Sequence, residues 1–267
     1  MSKSVFIRAA AVAAFAAIAM PATAQMFDSY RTPSVSQPGR AEWNWDGGSR
    51  LAVGVPGTVR YSEQGSPRVI VTGPDELVRR VRFRDGTLNT DWGFSWNSNE
   101  RLEILVTGVK LNSFGVSGSS RMMLGKLERD SLEMRVSGSG KIIMDGAKAR
   151  DVDMKVSGSG DIELGTLDAR SVDVEISGSG TAMATSGRAD RIELSISGSG
   201  KAEFSSLSSS QAQITISGSG RAAVAPRDAA NIRIAGSGRV RMPTSPPNLQ
   251  SNVTGSGRIT TAQADIR

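Results

Sequence analysis

Apolar and polar side chains alternate along most of the second half of the chain. Within residues 157–176, an apolar side chain occupies every second position of 161–164 and of 171–176. A period of two is typical of β-strands that have one buried and one exposed face, whereas an amphipathic helix needs spacings of three and four. The alternation therefore predicts strands, and the many glycines argue further against helices.

The same pattern recurs at a fixed period. Ser-Gly-Ser-Gly, or a close match to it, begins at residues 117, 137, 157, 177, 197 and 217, and looser copies begin at 235 and 254. The first six copies are 20 residues apart. A repeat of this length is typical of a solenoid, in which each repeat buries its apolar surface against its neighbours. We therefore predict an all-β fold, a parallel β-helix with about 20 residues per coil and regular coils over about residues 117–236.

Alignment of the repeats turns the sequence into columns of stacked side chains. The pattern predicts that two inward columns are Leu132, Val152, Val172, Ile192 and Ala212, and Val136, Val156, Ile176, Ile196 and Ile216. A third column, near a corner of the coil, admits only small side chains and reads Ala149, Ala169, Ala189, Ser209 and Ala229. Glycine accepts positive φ, so we interpret the Ser-Gly-Ser-Gly units as corners rather than as a ligand site.

The first half of the chain is less regular. All four tryptophans lie before residue 97, and strand-like alternation occurs at residues 50–55, 68–71, 78–84 and 101–106. We assign residues 25–49 to a flexible lead-in and residues 50–267 to the β-helix domain. Its early coils are irregular and rich in aromatic residues, and a short strand after residue 258 caps the far end.

The N-terminal residues have the layout of a secretory signal peptide. Lys3 and Arg8 form a positive segment before an unbroken apolar stretch, residues 9–19, and an Ala-x-Ala cleavage site ends at residue 24. We therefore predict that residues 1–24 are removed and that the protein is exported, to the periplasm or to the cell surface and medium. No later segment is apolar enough to cross a membrane as a helix.

Several motifs together resemble a known bacterial family. They are Val-Thr-Gly-Pro-Asp-Glu-Leu at 71–77, Asp-Gly-Thr-Leu at 85–88, Leu-Glu-Ile-Leu-Val at 102–106, and the serial Val-Ser-Gly-Ser-Gly units. Over about residues 50–260 the chain resembles the "putative auto-transporter adhesin, head GIN domain" family. The resemblance implies a right-handed parallel β-helix that is exported, and it supplies no catalytic residues.

Histidine and cysteine are both absent. Their absence excludes Ser-His and Cys-His nucleophilic pairs, histidine-ligated metals and structural disulfides. The glycine-rich units lack the Gly-Lys-Ser/Thr ending of a phosphate loop. We predict no cofactor, and we predict no nucleic-acid partner despite a net charge of +6, because the chain is exported and its aromatic residues are not interleaved with its basic ones.

Three groups of residues are candidates for ligand contacts. The acidic column Glu133, Asp153, Asp173 and Glu193 is a weak candidate for a hard cation such as Ca²⁺, and a solvated strip neutralised by nearby basic residues is the favoured interpretation. Arg80, Arg82 and Arg84 are predicted to share one face of a strand and to form a positive patch for acidic glycans or anionic headgroups. Asp91, Trp92 and Trp96 lie in the irregular aromatic segment 89–97, the only stretch long enough to shape a pocket.

The leading hypothesis is a non-enzymatic β-solenoid that serves as a binding, adhesion or scaffolding surface at the cell envelope, with anionic or polymeric glycans as ligands. The alternative is a carbohydrate-active enzyme of the β-helix type, a lyase or hydrolase with its site near Asp91. Self-association through exposed end coils is a third hypothesis, because bare strand edges invite pairing.

Overall fold

The computed structural model describes residues 30–90 and 101–263, together with the backbone of 265–266. The chain forms a parallel β-solenoid of about seven turns with about 20 residues per turn. The predicted all-β solenoid is confirmed. The predicted signal peptide, residues 1–24, lies outside the described residues.

The elements are numbered in chain order. They are β1 (Val35–Gln37), β2 (Arg40–Asn44), β3 (Arg50–Val53), β4 (Gly57–Ser62), β5 (Arg68–Thr72), α1 (Asp75–Val78), β6 (Val81–Arg84), β7 (Thr87–Thr90), β8 (Leu102–Thr107), β9 (Ser113–Gly118), β10 (Arg121–Gly138), β11 (Lys141–Gly158), β12 (Asp161–Gly178), β13 (Thr181–Gly198), β14 (Lys201–Gly218), β15 (Arg221–Gly236), β16 (Arg239–Arg241), β17 (Asn248–Gly255), β18 (Arg258–Thr260) and β19 (Asp265–Ile266).

Strands β10 to β15 form the regular coils. Each strand follows the bends of its coil and pairs in parallel with the next one, and from β10 to β14 the paired residues are 20 positions apart. Leu132 thus pairs with Val152, and Val152 pairs with Val172. The inward residues of both predicted apolar columns are buried. Equivalent residues of successive coils therefore stack in one continuous core along the solenoid axis.

The glycines of the Ser-Gly-Ser-Gly units form a corner of the coil. Gly138 and Gly158 have φ angles of 103° and 113°, in a region that side chains rarely allow. A Cβ atom on Gly158 would lie 2.7 Å from the carbonyl oxygen of Gly138. The backbone N–H of Ser159 donates to that same oxygen at 2.9 Å. Each corner therefore rests directly on the backbone of the corner before it, and the prediction that these units are corners is confirmed.

One coil is shorter than the others. Between β14 and β15 the pairing slips, so that Ser209 lies opposite Pro226 and Gln211 lies opposite Ala229. The prediction that Ala229 continues the small-residue column after Ser209 is therefore wrong. Two residues are missing from this part of the coil, and proline, which has no N–H to donate, sits at the irregularity.

The N-terminal part is a coil interrupted by an insertion. Strands β4 and β9 both pair in parallel with β10, so they are the first and last parts of the coil before it. Strand β3 pairs in parallel with β9, and β8 pairs in parallel with β4, so these two strands lie one layer further from β10. The intervening chain adds the antiparallel pairings of β5 with β2 and β8 and the hairpin of β6 and β7. These pairings account for the irregular pattern that the sequence shows before residue 113.

Two predictions differ from the structure in this region. The predicted flexible lead-in contains β1 and β2, and Trp43 and Trp45 pack on Phe83 with ring centroids 6.0 and 5.4 Å apart. Burial of these large rings at the end of the core stabilises the segment. The predicted strand over 78–84 begins only at Val81, because α1 makes a single helical turn before it.

At the C-terminal end of the solenoid, a polar residue occupies one of the inward positions. The last long strand, β17, places Leu249, Ser251 and Val253 over the apolar columns of β15, and Ser251 is exposed. Strand β18 stacks on β16, and β19 pairs antiparallel with β18, as a capping strand would.

The corner geometry predicts that Gly158→Ala destabilises the fold by about 1–3 kcal/mol, because alanine is strained at this φ and its Cβ would meet the Gly138 carbonyl. Gly125→Ala is the matched control, since Gly125 has no atom near its Cβ position and no positive φ. Urea unfolding followed by circular dichroism measures both. Equal unfolding midpoints for the two variants would contradict the role of the corner.

Candidate binding surfaces

The predicted acidic column is present on the outer face of the sheet, where Glu133 and Asp153 are half-buried and Asp173 and Glu193 are exposed. Glu133, Asp153, Asp173 and Glu193 pair in register on successive strands, and we refer to them as the acidic ladder. Neighbouring strands lie about 4.8 Å apart, so like charges face each other at short range. At the far end of the ladder, Gln213 donates a hydrogen bond to Glu193 at 3.2 Å.

The carboxyl groups of the acidic ladder differ in pKa. Burial raises the pKa of Asp153, although Lys155 acts in the opposite direction. Burial likewise raises the pKa of Asp173, and the neighbouring Glu193 adds to the effect. Burial also opposes ionisation of Glu133, but hydrogen bonds from Ser113 and Arg135 outweigh it and lower the pKa of that carboxyl. The middle of the ladder is therefore the part where burial of a carboxylate is least compensated by hydrogen bonds.

The acidic ladder lacks the clustered ligands of a metal site in the described part of the chain. Across residues 30–90 and 101–263, no group of three or more acidic side chains has an arrangement that could hold a metal ion. One carboxylate per coil on a flat sheet leaves most positions around a cation without a protein ligand. The neighbouring amines are nearby instead, with Lys155 Nζ 3.8 Å from Asp153 and 3.5 Å from Glu175.

The predicted arginine patch lies at the irregular end. Val81 and Phe83 are buried, so Arg82 and Arg84 project from the other face of β6, while Arg80 precedes the strand in the turn after α1. The Arg82 guanidinium donates to the backbone carbonyl of Arg79 at 2.8 Å. Arg84 lies 3.4 Å from Asp85. The structure thus places two of the three arginines on one strand face and the third beside it.

The sequence reasoning missed a groove that runs along one edge of the regular coils. The groove has a volume of about 790 Å³, and we call it the axial groove. Its floor is formed by Ala149 and Ala169, which belong to the small-residue column. Its walls are two rows of charged side chains, Glu128, Lys148, Asp168 and Arg188 on one side and Asp130, Arg150, Arg170 and Asp190 on the other.

The first wall of the axial groove alternates in charge from coil to coil. Lys148 Nζ lies 2.7 Å from Glu128, and Arg188 makes two hydrogen bonds of 3.1 Å with Asp168. Such exposed pairs contribute little to stability. They do, however, present hydrogen-bond donors and acceptors at the regular spacing of the coils. The same alternation of charge is visible in the sequence when residues 20 positions apart are aligned.

Arg129 closes one end of the axial groove. It occupies the position of the small-residue column in β10, opposite Ala149, where the preceding coil offers no matching strand. Its Nε donates to the carbonyl oxygen of Leu111 at 2.8 Å, and its guanidinium pairs with Glu63. A large side chain fits only here, because no further regular coil stacks on it.

Neither the acidic ladder nor the ion-paired wall of the axial groove has the paired-acid geometry of a glycosidase. Such enzymes place two carboxyl groups across a cleft, one of them with a raised pKa. Asp153 and Asp173, whose pKa values are raised, stand side by side in one flat ladder. In the axial groove, Glu128 and Asp168 are both paired with cations. Asp91, Trp92 and Trp96, the residues of the alternative hypothesis, lie outside the described residues.

The acidic ladder yields a pair of opposite predictions. Folding raises the pKa of Asp173 above the ordinary Asp value of 3.8, so the ionised carboxylate destabilises the fold at neutral pH. Stability therefore rises as the pH falls through the folded pKa. Asp173→Asn should therefore raise the melting temperature at pH 7 by up to about 2 °C, and the gain should vanish in acid.

Glu133→Gln is the matched variant with the opposite sign. Folding lowers the pKa of Glu133 below the ordinary Glu value of 4.5, so the ionised carboxylate stabilises the fold at pH values above 4.5. This contribution is lost as the pH falls through the folded pKa. The variant should melt below the parent protein at pH 7 and close to it in acid. Thermal unfolding at both pH values measures the pair, and shifts of the same sign at pH 7 would refute the assignment.

Solved structures with the same fold come from Parabacteroides and Bacteroides species. One, from Parabacteroides distasonis ATCC 8503 and described as a putative lipid binding protein, has a TM-score of 0.73 and 20% sequence identity, and the match covers 83% of this chain and 95% of that one. A putative adhesin from Parabacteroides merdae ATCC 43184 gives the same values. A putative adhesin from Bacteroides fragilis NCTC 9343 has a TM-score of 0.62 and 19% identity, with coverage of 83% and 95%. At this level of identity the similarity shows the fold alone.

No functionally curated protein matches the sequence. In the part of the chain that the structure describes, no helix has the length and hydropathy of a membrane span. Neither the family nor these neighbours carries the name of an enzyme. The family match covers residues 49–166 and 147–246, which together span most of the chain. The chain therefore belongs to the family described as "putative auto-transporter adhesin, head GIN domain".

Proposed function

We propose that this protein is an exported, non-enzymatic binding protein of the cell envelope, and that its axial groove binds a polymeric glycan. The observation that carries the proposal is the groove itself, a straight concave surface in which ion-paired side chains repeat once per coil. A polysaccharide also repeats along its length, so its hydroxyl groups can take up equivalent hydrogen bonds from successive coils. Export is supported by the signal-peptide pattern of residues 1–24.

The rigidity of the solenoid supports binding rather than catalysis. The groove walls stand on strands that pair continuously from β10 to β13, so the ligand meets a surface that is already organised. One structural neighbour is described as a putative lipid binding protein. An acyl chain would need an apolar cavity, but the walls of the axial groove are charged and its alanine floor is narrow. These features favour a glycan.

The proposed glycan contacts also include the arginine patch and the predicted aromatic segment 89–97. Arg82 and Arg84 project from β6, and Asp91, Trp92 and Trp96 follow it in sequence. We propose that these residues, together with Arg80, add a second contact region for acidic glycans. Aromatic rings commonly stack on sugars, and arginine forks pair with carboxylates.

A glycan array that includes bacterial capsular and envelope polysaccharides tests the proposed function, followed by calorimetric titration of any glycan that is retained. We expect Lys148→Gln combined with Arg150→Gln to weaken binding about tenfold, because two charge-assisted hydrogen bonds are lost. Arg60→Gln combined with Arg233→Gln is the matched control, since both residues are exposed strand arginines outside the groove.

The proposal fails if the array retains no glycan, or if the control variant loses as much affinity as the groove variant. The retained polysaccharide should also keep its length during prolonged incubation with the protein. Shortened chains would support the enzyme hypothesis instead.

A further inference from the structure

A row of positive charge crosses the last four coils. Lys201 lies opposite Arg221, Arg221 opposite Arg239, and Arg239 opposite Arg258, and all four side chains are exposed. We call this row the basic ladder. At about 4.8 Å per strand it extends roughly 14 Å along the solenoid axis. Each member alternates with a buried apolar residue, so the row is fixed to the outer face of the sheet.

The same column behaves differently in the earlier coils. There Lys141 lies opposite Asp161, and its Nζ is 3.7 Å from that carboxylate and 2.6 Å from Glu163. Two coils later the acids are gone from the column, and the four cations follow one another. The run of four consecutive cations is a property of these coils and not of the repeat.

A shallow depression accompanies the basic ladder. Ala223 stands between Glu203 and Arg241 in the adjacent column, and its small side chain leaves a concavity of about 310 Å³. Five cationic side chains and one carboxylate line this concavity, namely Lys201, Arg221, Arg239, Arg241, Arg258 and Glu203. The surface is therefore both concave and strongly positive.

Glu203 cannot by itself neutralise Lys201, Arg221, Arg239 and Arg241. Glu203 lies 3.4 Å from Lys201 Nζ and 3.7 Å from Arg241. Among the described residues, no acidic side chain forms a salt bridge with Arg221 or Arg239. Like charges directly opposite each other on neighbouring strands destabilise a sheet. A bound polyanion would remove this cost, and the arginine forks would pair with its oxyanions bidentately.

We propose that the basic ladder is a binding site for a linear anionic polysaccharide that carries a carboxylate or sulfate group on successive sugar units. This inference rests on the proposed glycan-binding function and adds to it a further site with a defined ligand class. A linear row of cations matches a linear chain of anions, whereas a single small anion would contact only part of the row.

The distribution of apolar residues favours a polysaccharide over a membrane surface. Peripheral membrane contacts combine positive charge with inserted apolar side chains. In the described part of the chain, the large exposed apolar residues are Tyr30, Val35, Leu105 and Met123, and none of them lines the depression beside the basic ladder. A membrane would thus meet the charge without an apolar anchor.

Titration of the purified protein with size-fractionated polygalacturonate tests the proposal, with neutral dextran as the polymer control. We expect polygalacturonate to bind at low salt and to dissociate as salt screens the charges. Arg221→Gln combined with Arg239→Gln should raise Kd at least about tenfold. The control Arg60→Gln with Arg233→Gln removes the same charge elsewhere and should leave Kd nearly unchanged.

A folding control accompanies the binding measurement. The ladder variant should melt at the same temperature as the parent protein or above it, because it relieves repulsion between like charges. If it melts lower, Arg221→Lys with Arg239→Lys replaces it, since lysine keeps the charge but loses the fork. This second variant should then show an intermediate Kd, and a Kd equal to that of the parent would overturn the role of the arginine forks.

Three results would overturn the basic ladder as the site. The first is an equal loss of affinity in the ladder and control variants. The second is unchanged binding in the ladder variant. The third is ladder-dependent binding of phosphatidylglycerol vesicles without binding of polygalacturonate. Failure of the axial groove is distinguishable, because the Lys148→Gln and Arg150→Gln variant would then bind every glycan as the parent does while the ladder result stands.

Discussion

In-register stacking of backbone on backbone at the glycine corners is the constraint on which this fold depends. The N–H of Ser159 bonds to Gly138, that of Ser179 to Gly158, and that of Ser199 to Gly178, each at 2.9 Å. These contacts leave no room for a Cβ atom at the corner. The corner therefore fixes the distance between successive coils. The other residues of each coil are then paired in register with those of the next coil.

Because the coils pair in register, side chains of one type that recur every 20 residues form continuous rows along the solenoid. Inside, rows of apolar side chains fill the core, and the burial of their surface stabilises the fold. Outside, the same rule brings like charges together, as in the acidic ladder and the basic ladder, or opposite charges, as in the wall of the axial groove. The surface properties of this protein are thus set by which residue types recur at one position, and a polymeric ligand with its own repeat suits such a surface.

The ends of the solenoid need different solutions, because there a coil has a neighbour on one side only. At the N-terminal end, Trp43, Trp45 and Phe83 cover the core, and Arg129 satisfies a carbonyl oxygen and an acid where the small-residue column begins. At the C-terminal end, Ser251 replaces the apolar residue of its column. A polar residue at this position makes an exposed end less prone to pair with another copy.

The sequence alone determined the coil length, the inward columns and the corners, because a strict period carries registration with it: once Ser157 is placed over Ser137, every position between them follows. Only the tertiary structure decided what happens where the period fails. It placed Ala229 opposite Gln211, and it placed the chain between β4 and β9 as an insertion within a single coil. In those places the hydrogen bonds between strands choose the partner, and no spacing in the sequence encodes that choice.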